Sequence, residues 1–540
     1  MGADLEAIEA VCADSAPGGL ASEQIEQLLE RQVDRSLVSI HLGTDIARYS
    51  LLENFQVFAQ QQLCRRAPDE WEQLVCRHRR YYRDKVVQAR NEWFGTQEQN
   101  LLGWAHSAWD NLLCAVDRSL ATPEEAMTGL EIASGLIALR LPFFIGTLRE
   151  SRTLAERALK ATRQPGRELA EPQISAMVLI GWVSLCQGLP DDAARMLDGC
   201  VAACIPDPSA RPDLRQALPT DLGLPAGVDY LWGSVLLLTH CDPRAATVLA
   251  RAREKFTAAG ERGGAAMSEL FEIMSVEFHG DSEAALEVSG AHLAHAAESG
   301  AEWVLAWAKL ARAIALAIHG DPDEAAELAY SALSRQAEMK EHWGTTWGVH
   351  IRAWILARKI SKGVSPARAR ELALEIAQLA GGATTLRRRV GVDLEHLRPF
   401  AAQTERAVET ARGVVGEQTF EIAFRAGEAL DSTRGEVIRL ALGTLSMSEP
   451  PAGEEVRGPR PAAWQLLSDA EREVAVLAAA GWTNPAIAAR RGSSHRTVDA
   501  QLAAILRKLM ITSRTDIARL VPAGQRDRVR LESTRKPWRR

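Results

Sequence analysis

The residues whose types and spacing could do chemistry lie together near the C-terminal end of the chain. Ser494-His495-Arg496-Thr497 opens a helical pattern whose apolar positions are Val498, Leu502, Ile505 and Leu509, spaced four, three and four. Thr483-Asn484 opens a shorter pattern that runs to Arg491 and is closed by Gly492. Before it, Ser468 and Glu471 form a capping box, Val474, Leu477 and Ala478 share one face, and Gly481 supplies a stop. Two short helices joined through a glycine turn, the second with a polar face, form the pattern of a helix-turn-helix, whose chemistry is hydrogen bonding to nucleic acid. Other chemistry is scarce. A phosphate-binding loop needs Gly-x4-Gly-Lys-Ser/Thr, and the glycine pairs at 18–19, 263–264 and 381–382 lack the Lys-Ser/Thr that must follow. His240, His319, His342 and His350 stand apart from carboxylates or cysteines at metal spacing and read as structural. No nucleophile–base pair or paired carboxylate stands out. The expectation is a protein that is not an enzyme and that uses no cofactor or metal.

The stretch Trp464 to Val521 resembles the LuxR-type helix-turn-helix of bacterial transcription regulators. Leu467-Ser468, Glu471, Glu473-Val474, Leu477, Gly481, Thr483-Asn484, Ile487-Ala488, Gly492, Ser494, Thr497-Val498, Ile505, Lys508-Leu509 and Ser513-Arg514-Thr515 fall in register with that family's motif. The resemblance implies that the third helix enters the major groove of double-stranded DNA while helix starts and hydroxyls meet phosphates. It makes Thr483, Asn484, Thr497 and Lys508 the phosphate-contact candidates. With Val498, Leu502 and Ile505 turned inward, His495, Arg496, Asp499, Ala500 and Ala503 fall to the DNA-facing side. Arg496 could read guanine or hold a phosphate. A fourth helix, Thr515 to Leu520, would pair two protomers, which implies a homodimer on DNA.

This chain departs from the family's pattern at five places. Asp499 stands where a basic residue is usual and repels phosphate unless it accepts from a cytosine amino group. Gln501 replaces the usual His, and Ala503 is too short to reach far. Arg491 and Ser493 occupy positions that are normally apolar and buried, which weakens packing unless Arg491 snorkels. These departures predict either weak binding or specificity for an unusual site.

The chain's totals set the frame. At 540 residues it is long enough for two to four domains. A hydrophobic share of 46% and a charged share of 25% are ordinary for a globular protein. No apolar run reaches the ~18–20 residues of a membrane helix, and the first residues show neither a basic start nor an apolar core. A cytoplasmic protein with no membrane partner is expected. Cysteines stand at 12, 64, 76, 114, 186, 200, 204 and 241; the Cys200–Cys204 pair is a weak zinc signal, and reduced buried thiols are the better reading. The net charge of −7 divides unevenly: residues 464–540 carry +8 and the preceding 463 carry −15. An acidic body with a basic end suits contact with nucleic acid through the end alone.

Residues 1–63 read as a mixed unit. Two amphipathic helices, Asp4 to Cys12 and Ser22 to Arg31, precede strand candidates Ser36 to Leu42 and Arg48 to Leu51 around a turn at Gly43-Thr44-Asp45. That order suggests a winged helix. The words Val33-Asp34-Arg35-Ser36-Leu37-Val38 and Arg48-Tyr49-Ser50-Leu51-Leu52-Glu53-Asn54-Phe55 resemble the winged-helix segment of STAND-class bacterial regulators. Arg77-His78-Arg79-Arg80-Tyr81-Tyr82 and Asp110-Asn111-Leu112 continue the resemblance. It implies a regulator of that class without its nucleotide-binding domain.

Residues 64–445 read almost wholly as helix. One punctuation recurs: Pro190-Asp191-Asp192-Ala193-Ala194, Asp242-Pro243-Arg244-Ala245-Ala246, Gly280-Asp281-Ser282-Glu283-Ala284-Ala285 and Gly320-Asp321-Pro322-Asp323-Glu324-Ala325-Ala326. Turn residues stop one helix and an Ala pair opens the next, as in a tetratricopeptide-like superhelix whose groove takes an effector or partner protein. Lys362-Gly363-Val364-Ser365-Pro366-Ala367 starts a further unit. Trp303, Trp307, Trp343, Trp347 and Trp354 sit at helical spacings; packing between stacked helices is favoured over an aromatic ligand groove. Residues 405–442, with Phe420, Phe424, Gly427 and Leu430, resemble the segment that ends the sensor of the same regulators. Residues 446–463 form a Pro-rich linker, 464–521 the helix-turn-helix domain and 522–540 a basic tail.

The fold expected is therefore mainly α: a small winged-helix unit, an α-helical tetratricopeptide-like superhelix and a C-terminal LuxR-type four-helix domain. The function expected is DNA-binding transcriptional regulation. The alternative is a helical-repeat scaffold whose terminal domain no longer binds DNA specifically.

Overall fold

The computed structural model describes the chain except for residues 1, 15–18, 43–46, 165–166, 215, 218–219, 448–463, 465–466, 509–516, 518–520 and 535–540; at a few further helix positions only the backbone is described. The chain is mainly helical and divides into two compact units, Met1–Glu449 and Pro450–Arg540.

The first unit opens with β1 (Ala3–Asp4), α1 (Leu5–Cys12), α2 (Ser22–Asp34), β2 (Val38–Leu42) and β3 (Ala47–Leu51). The three strands form an antiparallel sheet in the order β1-β3-β2, with Ile40 opposite Tyr49 and Ala3 opposite Tyr49 on its other side. The expected hairpin is present, with each strand shifted by one or two residues; its turn lies outside the described residues. Asp4 caps α1 by accepting from the Ala7 N–H at 2.8 Å, as a short carboxylate at an N-cap should. After α3 (Glu53–Arg66) comes α4 (Pro68–Glu92), to which the opening residues are tied by Lys85 and Glu6 at 2.6 Å. From α6 (below), the Asn111 amide donates to the Gly2 carbonyl at 3.0 Å. Among its described side chains no residue of α3 is buried, and Phe55, Val57 and Phe58 are exposed on it.

Helices α5 (Glu98–Ser107), α6 (Trp109–Leu120), α7 (Ala126–Ala138), α8 (Leu141–Ile145) and α9 (Leu148–Thr162) lead into a regular stack. It comprises α10 (Glu171–Cys186), α11 (Pro190–Cys204), α12 (Ala226–Val235), α13 (Arg244–Ala258), α14 (Arg262–His279), α15 (Ser282–Glu298), α16 (Glu302–His319), α17 (Pro322–Glu338), α18 (His342–Lys362) and α19 (Pro366–Val390). The punctuation read from the sequence marks the starts of α11, α13, α15 and α17. Asp281 accepts from the Ala284 N–H at 2.8 Å, and Asp321 from the Asp323 and Glu324 N–H groups at 2.8 and 3.2 Å. These caps satisfy helix-start donors that would otherwise lack partners. The fully buried alanine of each mark is Ala193, Ala245, Ala285 and Ala325, so the steps are 52, 40 and 40. That spacing is more regular than the second member of each Ala pair suggests, because burial and not pair order selects the contact.

The stack has two rows. α10, α12, α14, α16 and α18 touch one another in sequence, and most of their residues are buried. α11, α13, α15 and α17 bury one stripe each. Aromatic rings fill the inner side. Trp182 of α10 meets Trp343 of α18 at 5.4 Å between centroids, Phe143 of α8 meets both, and Trp307 lies 4.2 Å from Trp343. Trp303, Trp307, Trp343 and Trp347 are each at most 2% exposed. They are packing residues, as the sequence favoured. The unit ends with α20 (Arg398–Val415), α21 (Glu417–Glu428) and α22 (Glu436–Ala441). Gly381 of α19 and Gly427 of α21 sit where the helices cross: a Cβ at Gly381 would come within 1.9 Å of the Phe424 carbonyl oxygen, and one at Gly427 within 2.0 Å of the Gln378 carbonyl oxygen.

The second unit contains α23 (Asp469–Ala479), α24 (Asn484–Arg491), α25 (His495–Lys508) and α26 (Ala523–Thr534). No helix among the described residues is long and apolar enough to cross a membrane.

Candidate nucleic-acid interface

The helix-turn-helix is built from local signals that the sequence carries openly. The Ser468 hydroxyl accepts from the Glu471 N–H at 3.3 Å, and the Glu471 carboxylate accepts from the Ser468 N–H at 2.7 Å, so the capping box forms. Thr483 is the extended N-cap residue of α24, and Gly492 ends that helix in the left-handed region at φ 63°, as a C-cap glycine does. Ser494 then accepts from the Thr497 N–H at 3.1 Å and starts α25. A shared core of Trp464, Leu467, Val474, Leu477, Ile487, Val498, Leu502 and Ile505 fixes the three helices against one another. Leu509, expected to extend it, lies outside the described residues.

The predicted site residues divide by position. Thr483 and Thr497 are exposed at the two helix starts, and Asn484 is half-buried beside Thr483. α25 turns Val498, Leu502 and Ile505 inward, so the helical period sets positions 496, 500 and 503 on its opposite arc and 499 at its flank. The side chains of His495, Arg496, Asp499, Ala500 and Ala503 lie outside the described residues. The Lys508 ammonium pairs with both Glu471 oxygens at 2.7 and 2.8 Å. That ammonium hydrogen bond, ahead of the cap, holds the Glu471 carboxyl below the usual carboxylate range. A phosphate contact by Lys508 would have to share this pair.

Arg491 resolves one of the departures from the family pattern. Its side chain bridges two helices, Nε donating to Glu473 of α23 at 3.2 Å and Nη1 donating to Gln501 of α25 at 2.7 Å. Gln501, another departure, is thus the partner of Arg491. The two substitutions answer each other across ten residues of sequence, which spacing alone does not reveal. Ser493 has no such answer: its hydroxyl is buried without a partner among the described residues.

Residues after Val521, read from sequence only as a basic tail, are ordered as α26 through Thr534. The helix packs on α23. The Trp482 indole donates to the Glu532 carbonyl at 2.9 Å, and Arg490 approaches the Glu532 carboxylate at 3.6 Å. The weak apolar periodicity of 523–534, where Val529 packs against the core and Leu531 is exposed, explains why this helix was not legible. Of the expected fourth helix, only Ile517 lies among the described residues, helical and fully buried.

With that geometry in hand, residues 465–521 match the family described as bacterial regulatory proteins, luxR family. No curated protein and no solved structure matches the chain. The C-terminal unit therefore contains a LuxR-family helix-turn-helix domain, the kind used by DNA-binding transcription regulators.

Proposed function

We propose that the protein is a transcription regulator whose α25 reads a promoter site in the major groove while its helical unit senses an effector. The observation that carries this reading is the family match over a domain whose capping box, glycine turn and core are formed. Thr483, Asn484, Thr497 and Lys508 would meet phosphates, and His495, Arg496, Asp499, Ala500 and Ala503 would line the base edges. Two protomers would pair through residues 515–520 so that each reads one half-site. The repeated helix pairs, with buried alanines at steps of 52, 40 and 40 and Asp caps on α15 and α17, support a tetratricopeptide-like reading of the sensor. The sheet and helices before α4 support a winged helix like that of STAND-class regulators. A cytoplasmic location follows from this role.

The test is selection of the full-length chain on a pool of random DNA duplexes at two salt concentrations. A recurring palindromic site is expected, with Arg496→Ala weakening it by ~1–3 kcal/mol at the base it reads. Retention that vanishes with salt and yields no motif would leave only general attraction to phosphate. The scaffold alternative would then replace this reading.

A further inference from the structure

Three helices of the inner row begin at one place. α10 starts at Glu171, α12 at Ala226 and α14 at Arg262, and their first turns enclose a pocket of about 460 Å³ with parts of α4 and α13. That volume lies within the ~300–1,000 Å³ of small-molecule sites. Arg90, Asn91, Glu171 and Arg262 are exposed at its rim, and Val178, Val228, Phe256 and Met267 are buried in its walls. The first turn of α14 lies flush against two aromatic rings of the lining. A Cβ at Gly263 would come within 2.6 Å of Phe94, and one at Gly264 within 2.4 Å of Phe256.

Two polar side chains stand among the apolar ones at depth. Arg140 is 5% exposed and Tyr230 is 4% exposed. Arg140 joins α7 to α8 with φ 59°, a left-handed backbone that residues with a Cβ adopt reluctantly. Its guanidinium lies 4.0 Å from the Trp182 ring centroid. Its Nε and Nη1 are buried without a hydrogen-bond partner among the described residues, and the buried Tyr230 hydroxyl lines the same pocket. Glu261 is paired with Arg90 at 2.6 Å and buried Asp229 with Arg251 and Lys255 at 2.7 and 2.8 Å, while Glu171 stands exposed at the rim. Burial lowers the affinity of Arg140 for its proton, yet a guanidinium stays charged at neutral pH. An uncompensated buried charge is unfavourable unless something else meets it.

We propose that this pocket binds a small organic carboxylate, its charged end against Arg140 and the Tyr230 hydroxyl and its apolar body along Val178, Val228, Phe256 and Met267. One unmatched positive charge at depth suits one negative charge, and a dianionic phosphate would leave its second charge buried against apolar walls. The helix starts around the pocket add favourable potential for an anion. The pocket stands without the DNA-binding reading; its role as the effector site rests on that reading.

The experiment is calorimetric titration of the full-length chain with decanoate and 4-phenylbutyrate, beside decanol, 4-phenylbutanol and inorganic phosphate. At least one carboxylate is expected to bind about tenfold or more tightly than its alcohol. Arg140→Met should abolish that preference, and Arg140→Lys should keep part of it. Ser175→Phe, which fills the pocket from α10, should block the carboxylate while its thermal melt matches the parent chain. Failure of both carboxylates to bind, equal binding of the alcohols, a preference that survives Arg140→Met, or binding of phosphate alone would each overturn the proposal. Binding is read without DNA. A chain that takes the carboxylate yet binds its operator unchanged would keep the pocket and remove the sensing role.

Discussion

Two arginines sit on apolar ground in this protein, one in each unit, and their surroundings differ. Arg491 of the C-terminal domain is met by Glu473 and Gln501, so its charge and donors are accounted for within the fold. Arg140 of the helical unit is more deeply buried, lies on Trp182 and has two nitrogens without partners. The first pattern is what a structural substitution looks like after compensation. The second is the pattern that the proposed carboxylate would complete. The same contrast separates the inner face of the helix stack, which aromatic rings fill, from the pocket at the helix starts, which they leave open.

The largest effect is expected where the interior is fullest. Trp343→Ala removes the ring shared by α8, α10, α14 and α16 and should destabilise the helical unit by ~3–5 kcal/mol in urea or thermal unfolding. A loss below ~1 kcal/mol would mean that the inner face has room for a groove after all. Next comes the pair of arginines. Arg491→Ala should destabilise the C-terminal unit by ~1–3 kcal/mol, because the partners it leaves are partly desolvated. Arg140→Met, melted without ligand, should leave stability unchanged or raised. The reverse order would break the contrast.

A pH effect of smaller reach separates the units further. Burial raises the Glu341 carboxyl to about 8, although the Gly344 and Trp343 N–H groups bond it and pull the other way. Burial likewise raises Glu98 to about 7, and it drives Glu277 upward. A carboxyl with a raised folded pKa holds a proton that the unfolded chain releases, so the native state binds more protons. Its contribution is full below about 4.5 and is lost as pH rises toward 8. Buried His78 and His350, lowered to about 4 by burial, act the other way below 6.5, so the melting temperature of the helical unit should fall from there toward 8, and Glu341→Gln should flatten that fall. The smallest effect is the coupling between Arg491 and Gln501. A double-mutant cycle should return ~0.5–1.5 kcal/mol, and a value near zero would mean that the two substitutions are independent.

Much of the fold was legible because its signals are local. The capping box at Ser468, the Gly492 stop, the Asp caps of the repeat and the hairpin of β2 and β3 each rest on residues within a few positions of one another. The candidate interface was legible as a motif for the same reason, with Thr483, Thr497 and the buried stripe of α25 standing where the pattern required. What escaped was contact across distance. The Lys508–Glu471 pair, the Arg491–Gln501 bond and the docking of 523–534 through Trp482 all join residues on different helices.

The sequence by itself determined where helices start and stop, and which stretch carries a LuxR-type helix-turn-helix, because caps and apolar periods act within one or two turns. Only the tertiary structure decided that the tryptophans close the interior of the helix stack. It also decided that Arg491 is answered while Arg140 is not. A side chain's partners are set by which helices meet, and nothing in the spacing of 140, 178 and 230 says that these residues share one pocket.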